Sequence, residues 1–230
     1  MAGYQDALEA QKLYLLAVRE QALAGDPAAV RDLLQRDLVF WRQALASSDL
    51  LISKMIATAA VRRHFALGNL ALRALPADLT AGAVPPSWQR PLALDERSLV
   101  RSLGGEWRYV GAALRTAMAP EARAADPERG MSDLLLRPLY QPQATVNLYA
   151  ARMVRMGELS ELPYPEIDPA LESLLRSGQD AGWRLSLYNP VGVIIDSVGP
   201  ESAYAKYIAR SGDLEGIRRA ALLVATLRAE

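Results

Sequence analysis

Cysteine is missing from this chain of 230 residues, and histidine occurs once. Without cysteine the chain forms no disulfide, carries no thiolate nucleophile, and ligates neither an iron–sulfur cluster nor a cysteine-bound zinc ion. A single histidine also excludes a metal site built from several imidazoles. We therefore expect neither a metal ion nor a cofactor.

An excess of either charge is missing as well. The 26 Lys and Arg residues balance the 26 Asp and Glu residues, so the formal net charge is +0. No overall basic field is available to attract a phosphate backbone or an anionic membrane surface. We therefore expect no nucleic-acid partner.

The third feature that the sequence lacks is a long uncharged apolar run. A membrane-spanning helix needs about 20 mostly apolar residues. The most apolar stretch, residues 50–68 (LLISKMIATAAVRRHFALG), is interrupted by Lys54 and by the adjacent Arg62 and Arg63. The first residues also lack the basic and apolar regions of a secretory leader. Any attachment to a membrane would need an anchor that this chain does not contain.

The residues that are present favour helix. Apolar residues make up 51% of the chain and charged residues 23%, and Ala and Leu outnumber the β-branched types. This composition is typical of a globular protein rich in helix. We predict an all-α fold, an irregular multi-helix bundle of roughly eight to ten helices that forms a single domain over residues 1–230.

The N-terminal segment predicts an αα-hairpin. Apolar residues recur at helical spacing from Ala7 to Ala22, Gly25 ends the run, and Asp26 with Pro27 supplies a helix cap and a first-turn proline. A second helix continues to Leu45. The segment AGDPAAVRDLLQRDLVFWRQAL resembles the middle of a tetratricopeptide repeat, although no second copy follows at the repeat period of about 34 residues.

A central third helix is predicted at 50–75, with neighbours covering both of its sides. A proline-rich link follows at 76–94, which Trp88 should fix to the body of the protein. From Asp95 a fourth helix carries Gly104 and Gly105, a pair that indicates a kink or a close helix crossing. The remaining segments are a polar loop at 119–132 and helices at 132–138, 143–157 and 169–176, followed by a short buried helix in YNPVGVIIDSVG and further helix to the end of the chain.

Lys54 lies between two isoleucines on the most apolar helix. A buried ammonium group needs a partner, because an unpaired internal charge is costly. Glu106, isolated in the segment GGEWR, is the preferred partner. The residues of this candidate ion pair or pocket are Lys54, Met55, Glu106, Trp107, Arg108 and Tyr109.

A second candidate polar site comprises Arg62, Arg63 and His64. Adjacent cations favour a neutral imidazole, which would be available as a base. However, no motif places a serine or cysteine nucleophile beside it, and the chain has neither a dinucleotide-binding nor a Walker-type glycine motif. We interpret His64 as a structural or surface residue, and we expect His64→Ala to change stability by no more than about 1 kcal/mol.

Several segments taken together carry a family resemblance. The run from Leu23 to Phe65, together with GGEWR, QPQATVNLYA and YNPVGVII, resembles a group of uncharacterised proteobacterial proteins. Those proteins commonly have an N-terminal membrane anchor before a helical soluble part, and no reaction is assigned to them. The resemblance implies that this chain is the soluble part of an envelope or periplasmic protein, with a cytoplasmic location as the alternative.

Two functions of different classes follow. The first, which we favour, is a non-enzymatic helical module that binds a protein partner. The second is a helical protein that binds a small molecule or a lipid, with or without enzymatic activity, in a pocket between the third helix and GGEWR. A cavity lined by Met55, Trp107 and Tyr109 would favour the second function, and a solid core would favour the first.

Overall fold

The computed structural model describes residues 3–117, 139–177, 182–197 and 201–230. Over these ranges the chain forms twelve helices and no strand, which confirms the predicted all-α class. The predicted loop at 119–132 and helix at 132–138 lie outside the described residues. The helices are α1 (Tyr4–Leu23), α2 (Pro27–Ser47), α3 (Leu51–Leu72), α4 (Ala77–Ala83), α5 (Pro86–Gln89), α6 (Leu94–Arg97), α7 (Val100–Ala117), α8 (Pro142–Glu161), α9 (Tyr164–Ser177), α10 (Gly182–Tyr188), α11 (Pro190–Ser197) and α12 (Glu201–Ala229).

The observed helices differ from the predicted ones. The helix predicted from Asp95 is divided into α6 and α7, because the backbone at Ser98 is extended. The predicted link at 76–94 is itself helical in short pieces, which begin at prolines: Pro76 and Pro85 are N-cap residues, and Pro86 lies in the first turn of α5, where no backbone N–H is needed. Helix α9 starts five residues before Pro169, which it holds inside the helix at the sixth position. The segment after Asn189 is the predicted short helix, α11. None of the described helices combines the length and the apolar composition that a membrane crossing requires.

Backbone contacts divide the chain into two compact units. The first contains Met1–Ser48, Ile52–Ser98 and Arg210–Glu230, and the second contains Asp49–Leu51 and Leu99–Ala209. The single domain expected from the sequence stays a prediction.

In the first unit, α1 and α2 form the predicted hairpin. Gly25 adopts a φ of 74°, a backbone conformation that residues other than glycine rarely adopt. The carboxylate of Asp26 accepts a hydrogen bond from the backbone N–H of Ala29 at 2.9 Å, and Pro27 occupies the first turn of α2. The turn chemistry was therefore predicted correctly, whereas the likeness to a tetratricopeptide repeat stays a prediction.

The core of the first unit lies between α1, α2, α3 and the link. Trp88 is fully buried, as predicted, and packs edge-on against Phe65 with ring centroids 5.4 Å apart. A Cβ atom at Gly68 would lie 3.0 Å from the Trp88 ring, so this glycine permits the close approach. The largest aliphatic side chains of this core with no more than 2% exposure are Leu15, Val18, Val30, Leu34, Leu38, Leu45, Val61, Leu72 and Leu75, together with Leu214 of α12.

Helix α3 is covered less completely than predicted. Ile52 is 53% exposed, Ala59 is also exposed, and Met55 and Ile56 are only half-buried. These positions alternate with buried Ala57, Ala60 and Val61 around the helix. The expectation that neighbours cover both sides of α3 is therefore wrong for the face that carries Ile52 and Ala59, and that face meets solvent.

The side chain of Arg42 connects α2 to the link and to α6 by hydrogen bonds. Its side chain is 2% exposed, and its Nε and Nη2 donate to the two carboxylate oxygens of Glu96 at 2.6 Å each. The remaining N–H groups donate to the carbonyls of Ser87, Arg90 and Pro91 at 3.2, 2.9 and 2.7 Å. All five guanidinium donors are thus used. A cavity of about 720 Å³ adjoins this ion pair, which has no free donor left for a ligand.

In the second unit, α7 packs against α8 over much of its length. A Cβ atom at Gly105 would lie 1.7 Å from the backbone carbonyl oxygen of Asp49. Of the two alternatives for the glycine pair, the close approach is therefore confirmed. A Cβ atom at Gly157 of α8 would lie 3.0 Å from the side chain of Val100, so a second glycine brings α7 and α8 together.

The Arg42–Glu96 pair leads to a prediction about stability. We expect Arg42→Met to lower the free energy of unfolding by about 3 to 5 kcal/mol, because a buried carboxylate and three carbonyls lose their donors. Urea denaturation measures the loss. As a control, Arg90→Ala should cost no more than about 1 kcal/mol, since exposed pairs contribute little, and the Arg90 guanidinium lies 3.8 Å from the same carboxylate and is 66% exposed. Equal losses in the two variants would contradict the fastening role of Arg42.

Candidate functional site

The single histidine lies inside the first unit, between α2 and the link. His64 is fully buried on α3. Its Nδ1 lies 2.7 Å from Oδ2 of Asp37 on α2, and its Nε2 lies 2.7 Å from the indole Nε1 of Trp88. Three polar groups from three separate segments therefore form one hydrogen-bonded chain.

The partners of His64 fix its tautomer. An indole N–H only donates, so Nε2 of His64 must be the acceptor from Trp88. Nδ1 then carries the hydrogen and donates to Asp37, which leaves the imidazole neutral. In a hydrolytic triad the same Asp–His arrangement presents Nε2 to a nucleophile. Here the indole of Trp88 occupies Nε2, and the geometry favours a structural role for this histidine.

Asp37 receives two further donors. The indole Nε1 of Trp41 donates to its Oδ1 at 3.1 Å, and the amide Nε2 of Gln11 on α1 lies 3.2 Å from its Oδ2. The Asp37 side chain is 6% exposed, yet within the described ranges no Lys or Arg nitrogen lies within 4.0 Å of it. All of its partners are neutral groups. We call Gln11, Asp37, Trp41, His64 and Trp88 the buried network.

A groove between α1 and α2 reaches this network from outside. Its volume is about 450 Å³. We call it the hairpin groove; Gln11 and Asp37 of the buried network lie in its wall beside aromatic rings. The full set of lining residues is Ala7, Ala10, Gln11, Tyr14, Arg36, Asp37, Phe40 and Trp41.

The other members of the predicted polar site do not join His64. Arg62 is partly exposed, with its Nη1 3.7 Å from Oδ2 of Asp213. Arg63 donates from Nη1 to the backbone carbonyl of Leu8 at 2.6 Å. Successive residues of a helix point about 100° apart, which separates the three side chains. Because His64 is buried with two hydrogen-bond partners, we replace the expectation that His64→Ala leaves stability nearly unchanged by the prediction of a larger loss.

Lys54 is buried as predicted, with 1% exposure. Its Nζ donates to the carbonyls of Leu45 and Asp95 at 2.7 and 2.9 Å. Glu106 instead accepts the backbone N–H of Leu51 at 3.2 Å through Oε1. Each group thus satisfies a backbone segment of its own unit, and the Lys54–Glu106 ion pair stays a prediction. Burial lowers the pKa of Lys54 to about 8, partly opposed by the nearby charges of Asp95 and Glu96.

Of the other predicted pocket residues, Trp107 lines a groove in the second unit. This groove, which we call the Trp107 groove, has a volume of about 390 Å³ and an almost wholly apolar wall. The Trp107 indole donates to the carbonyl of Val146 at 3.3 Å. Arg108 and Tyr109 are exposed, and Met55 is half-buried in the first unit.

Sequence reasoning missed the buried network, although a signal for it was present. Gln11 and Asp37 are polar residues at helical positions that are otherwise apolar and buried. A polar side chain at a core position must find a buried partner. That rule predicts that partners exist, but it does not identify His64 and Trp88.

Within the described ranges, no three His, Asp or Glu side chains come close enough together to hold a metal ion. Comparison of the chain with protein-family models, with curated proteins and with solved structures finds no match. The resemblance to proteobacterial envelope proteins stays a prediction.

The position of His64 leads to a new expectation for its removal. His64→Ala should lower the free energy of unfolding by roughly 3 to 5 kcal/mol, because the buried indole N–H of Trp88 loses its acceptor, Asp37 loses one of its three donor residues, and a cavity forms. Chemical denaturation at neutral pH measures the change. The neighbouring variant Arg62→Ala should lose no more than about 1 kcal/mol, since its ion pair is exposed. A His64→Ala protein as stable as Arg62→Ala would show that the network does not support the fold.

The lowered pKa of Lys54 predicts a pH dependence with a defined sign. The group titrates at about 8 in the folded state and at its ordinary 10.5 when unfolded, so the unfolded chain binds more protons between these values. Stability should therefore rise with pH across this window, by roughly 3 kcal/mol for this group. Lys54→Met removes the contribution. Urea titrations of both proteins from pH 8 to 10.5 measure the difference, and parallel curves would contradict the prediction.

Proposed function

We propose that this chain is a helical interaction module without enzymatic activity, and that it binds an amphipathic helix of a partner protein along the outer face of α1. The observation that carries the proposal is a row of exposed leucines on that face. Leu13, Leu16 and Leu23 are 69%, 55% and 61% exposed. We call these three residues the leucine seam.

The spacing of the seam matches helix pairing. Glu9, Leu13, Leu16, Glu20 and Leu23 follow one another at steps of four and three residues. This alternation is the heptad pattern by which one helix packs against another. The opposite face of α1 is already used, since Gln11, Leu15, Val18 and Ala22 are buried in the core. The seam therefore suits an external helix, which would bury its own apolar stripe there.

The state of the most reactive side chains supports a binding role over catalysis. Nε2 of His64 is occupied by the indole of Trp88, Lys54 donates to two backbone carbonyls, and Arg42 uses all of its donors on Glu96 and the link. These are the groups that general acid–base catalysis or anion binding would otherwise use. Each of them holds a segment of the first unit in place. The envelope location implied by the resemblance is a separate part of the proposal.

Site-specific photocrosslinking tests the proposed interface. A benzophenone amino acid at position 16 should crosslink to one partner, and the crosslinked peptide should belong to a helix with an apolar stripe. The double variant Leu13→Glu/Leu16→Glu should abolish the crosslink of a photoprobe at position 23, because two carboxylates would be buried in the contact. Leu70→Glu is the matched control, since Leu70 is 51% exposed on α3.

The outcomes separate the alternatives. If Leu70→Glu also lost the crosslink, exposed apolar residues in general, and not the leucine seam, would account for binding of the partner. Crosslinks between two copies of this chain, with a dimer in sedimentation, would replace the proposed partner by self-association. Crosslinked peptides without an apolar helical stripe would also contradict the proposal.

The Trp107 groove favours a second candidate function, the binding of a small apolar molecule or a lipid chain. Its wall combines Trp107 and Val100 of α7 with Met153 and Val154 of α8. Pockets for small molecules have volumes of roughly 300 to 1,000 Å³ and mostly apolar walls. Quenching of tryptophan fluorescence by a brominated fatty acid, lost in Val154→Glu, would support this function. Equal quenching in the variant would oppose it.

A further inference from the structure

We propose that the hairpin groove binds a small organic amine in its protonated form, with an apolar group attached to the ammonium. The groove is independent of the leucine seam and of the Trp107 groove. Its volume of about 450 Å³ lies within the range of small-molecule sites. The proposal depends on the chemistry of its polar wall and of its aromatic wall.

The first argument is an acceptor without a donor. Gln11 is 4% exposed, and its Nε2 donates to Asp37 and to the backbone carbonyl of Ala60 at 3.0 Å. These two acceptors fix the orientation of the amide, since a flipped amide would place its oxygen against a carboxylate. The Oε1 atom of Gln11 is buried and accepts no hydrogen bond from any residue that the structure describes. A ligand that donates a hydrogen bond would satisfy it.

The second argument is an uncompensated negative charge. Asp37 lies in the same wall, and its hydrogen-bond donors are the neutral side chains of Gln11, Trp41 and His64. A buried carboxylate is stabilised further by a cation. An ammonium group supplies both the positive charge and several N–H donors. An anionic ligand would be repelled, and a neutral apolar ligand would leave the charge unpaired.

The third argument is the aromatic wall. Tyr14, Phe40 and Trp41 line the groove, and the Phe40 and Trp41 rings meet edge to face with centroids 5.0 Å apart. Phe40 is 59% exposed, so its ring is available to a ligand. Aromatic faces attract organic cations and also cover an apolar group. The polar wall therefore suits the ammonium group of the ligand, and the aromatic wall suits its apolar group.

Arg36 is the one cationic residue in the groove wall. It is exposed, and its Nε donates to the backbone carbonyl of Asp32 at 3.3 Å. Solvent and salt screen a charge in that position far more than a buried one. Arg36 therefore opposes a bound cation only weakly, and an ammonium group next to Asp37 remains favourable.

Binding of 2-phenylethylamine to the full chain tests the proposal, with 2-phenylethanol and 3-phenylpropionate as a neutral and an anionic analogue of similar shape. We expect saturable binding of the amine by NMR titration, with shifts of the Trp41 indole and the His64 imidazole. The alcohol and the acid should bind at least about tenfold more weakly. Equal affinity for the three probes, or no saturable binding of the amine, would overturn the proposal.

Variants locate the site. Phe40→Ala should weaken binding of the amine by about tenfold without loss of the fold, since the side chain is mostly exposed. Gln11→Met should weaken it as well, and a melting curve shows whether that variant is folded; if it is not, Phe40→Ala decides. Leu16→Ala, in the leucine seam, should leave amine binding unchanged. Unchanged binding in Phe40→Ala would place the amine elsewhere and overturn the proposal.

A last comparison separates a free amine from a lysine side chain of a partner protein. Butylamine and the methylamide of Nα-acetyl-lysine carry the same four-carbon ammonium arm. If the natural occupant is a free amine, butylamine should bind at least as tightly as the lysine derivative, because the peptide groups of the derivative add bulk at the mouth of the groove. Tighter binding of the lysine derivative would overturn the assignment to a small molecule.

Discussion

The hydrogen-bonded chain from Trp88 through His64 to Asp37 is the constraint on which the first unit depends. It connects the link, α3 and α2, and Gln11 extends it to α1. Each group has a defined role in it: the indole only donates, the carboxylate only accepts, and the imidazole does one of each. The hydrogen bonds of Trp88, His64 and Asp37 specify one arrangement of the link, α3 and α2, because another arrangement would leave one of these buried groups unpaired.

The same logic explains why the residues that attract attention in the sequence are structural. Arg42 and Lys54 use their donors mainly on the backbone carbonyls of the link, α2 and α6, which short helices and proline-rich turns leave without partners. The hydrogen bonds from these cations replace the ones that the same carbonyl groups would have accepted within a longer helix. The first unit therefore includes irregular backbone in its interior. Its carbonyl groups take up all five donors of Arg42 together with Glu96, and they take up two of the three donors of Lys54.

The parts of this structure that could be predicted from sequence are those set by neighbouring residues. Asp26 and Pro27 predicted the start of α2, and the all-α class followed from composition and spacing. The partners of buried polar groups could not be predicted, because they are distant: Arg42 meets a carboxylate 54 residues away, and Asp37 meets an imidazole 27 residues away. The sequence showed that Lys54 needs a partner, but not that the carbonyls of Leu45 and Asp95 would accept its hydrogen bonds within the first unit.

Helix α1 connects the two proposed binding surfaces without coupling them. Gln11 and Leu13 are two residues apart, and a helix turns about 100° per residue, so their side chains point in nearly opposite directions. Gln11 faces the buried network and the hairpin groove, whereas Leu13 belongs to the exposed seam. A partner helix on the seam contacts neither Asp37 nor the aromatic wall directly. Coupling between the two surfaces would require a movement of α1 itself, which the hydrogen bonds of Gln11 to Asp37 and to the Ala60 carbonyl on α3 oppose.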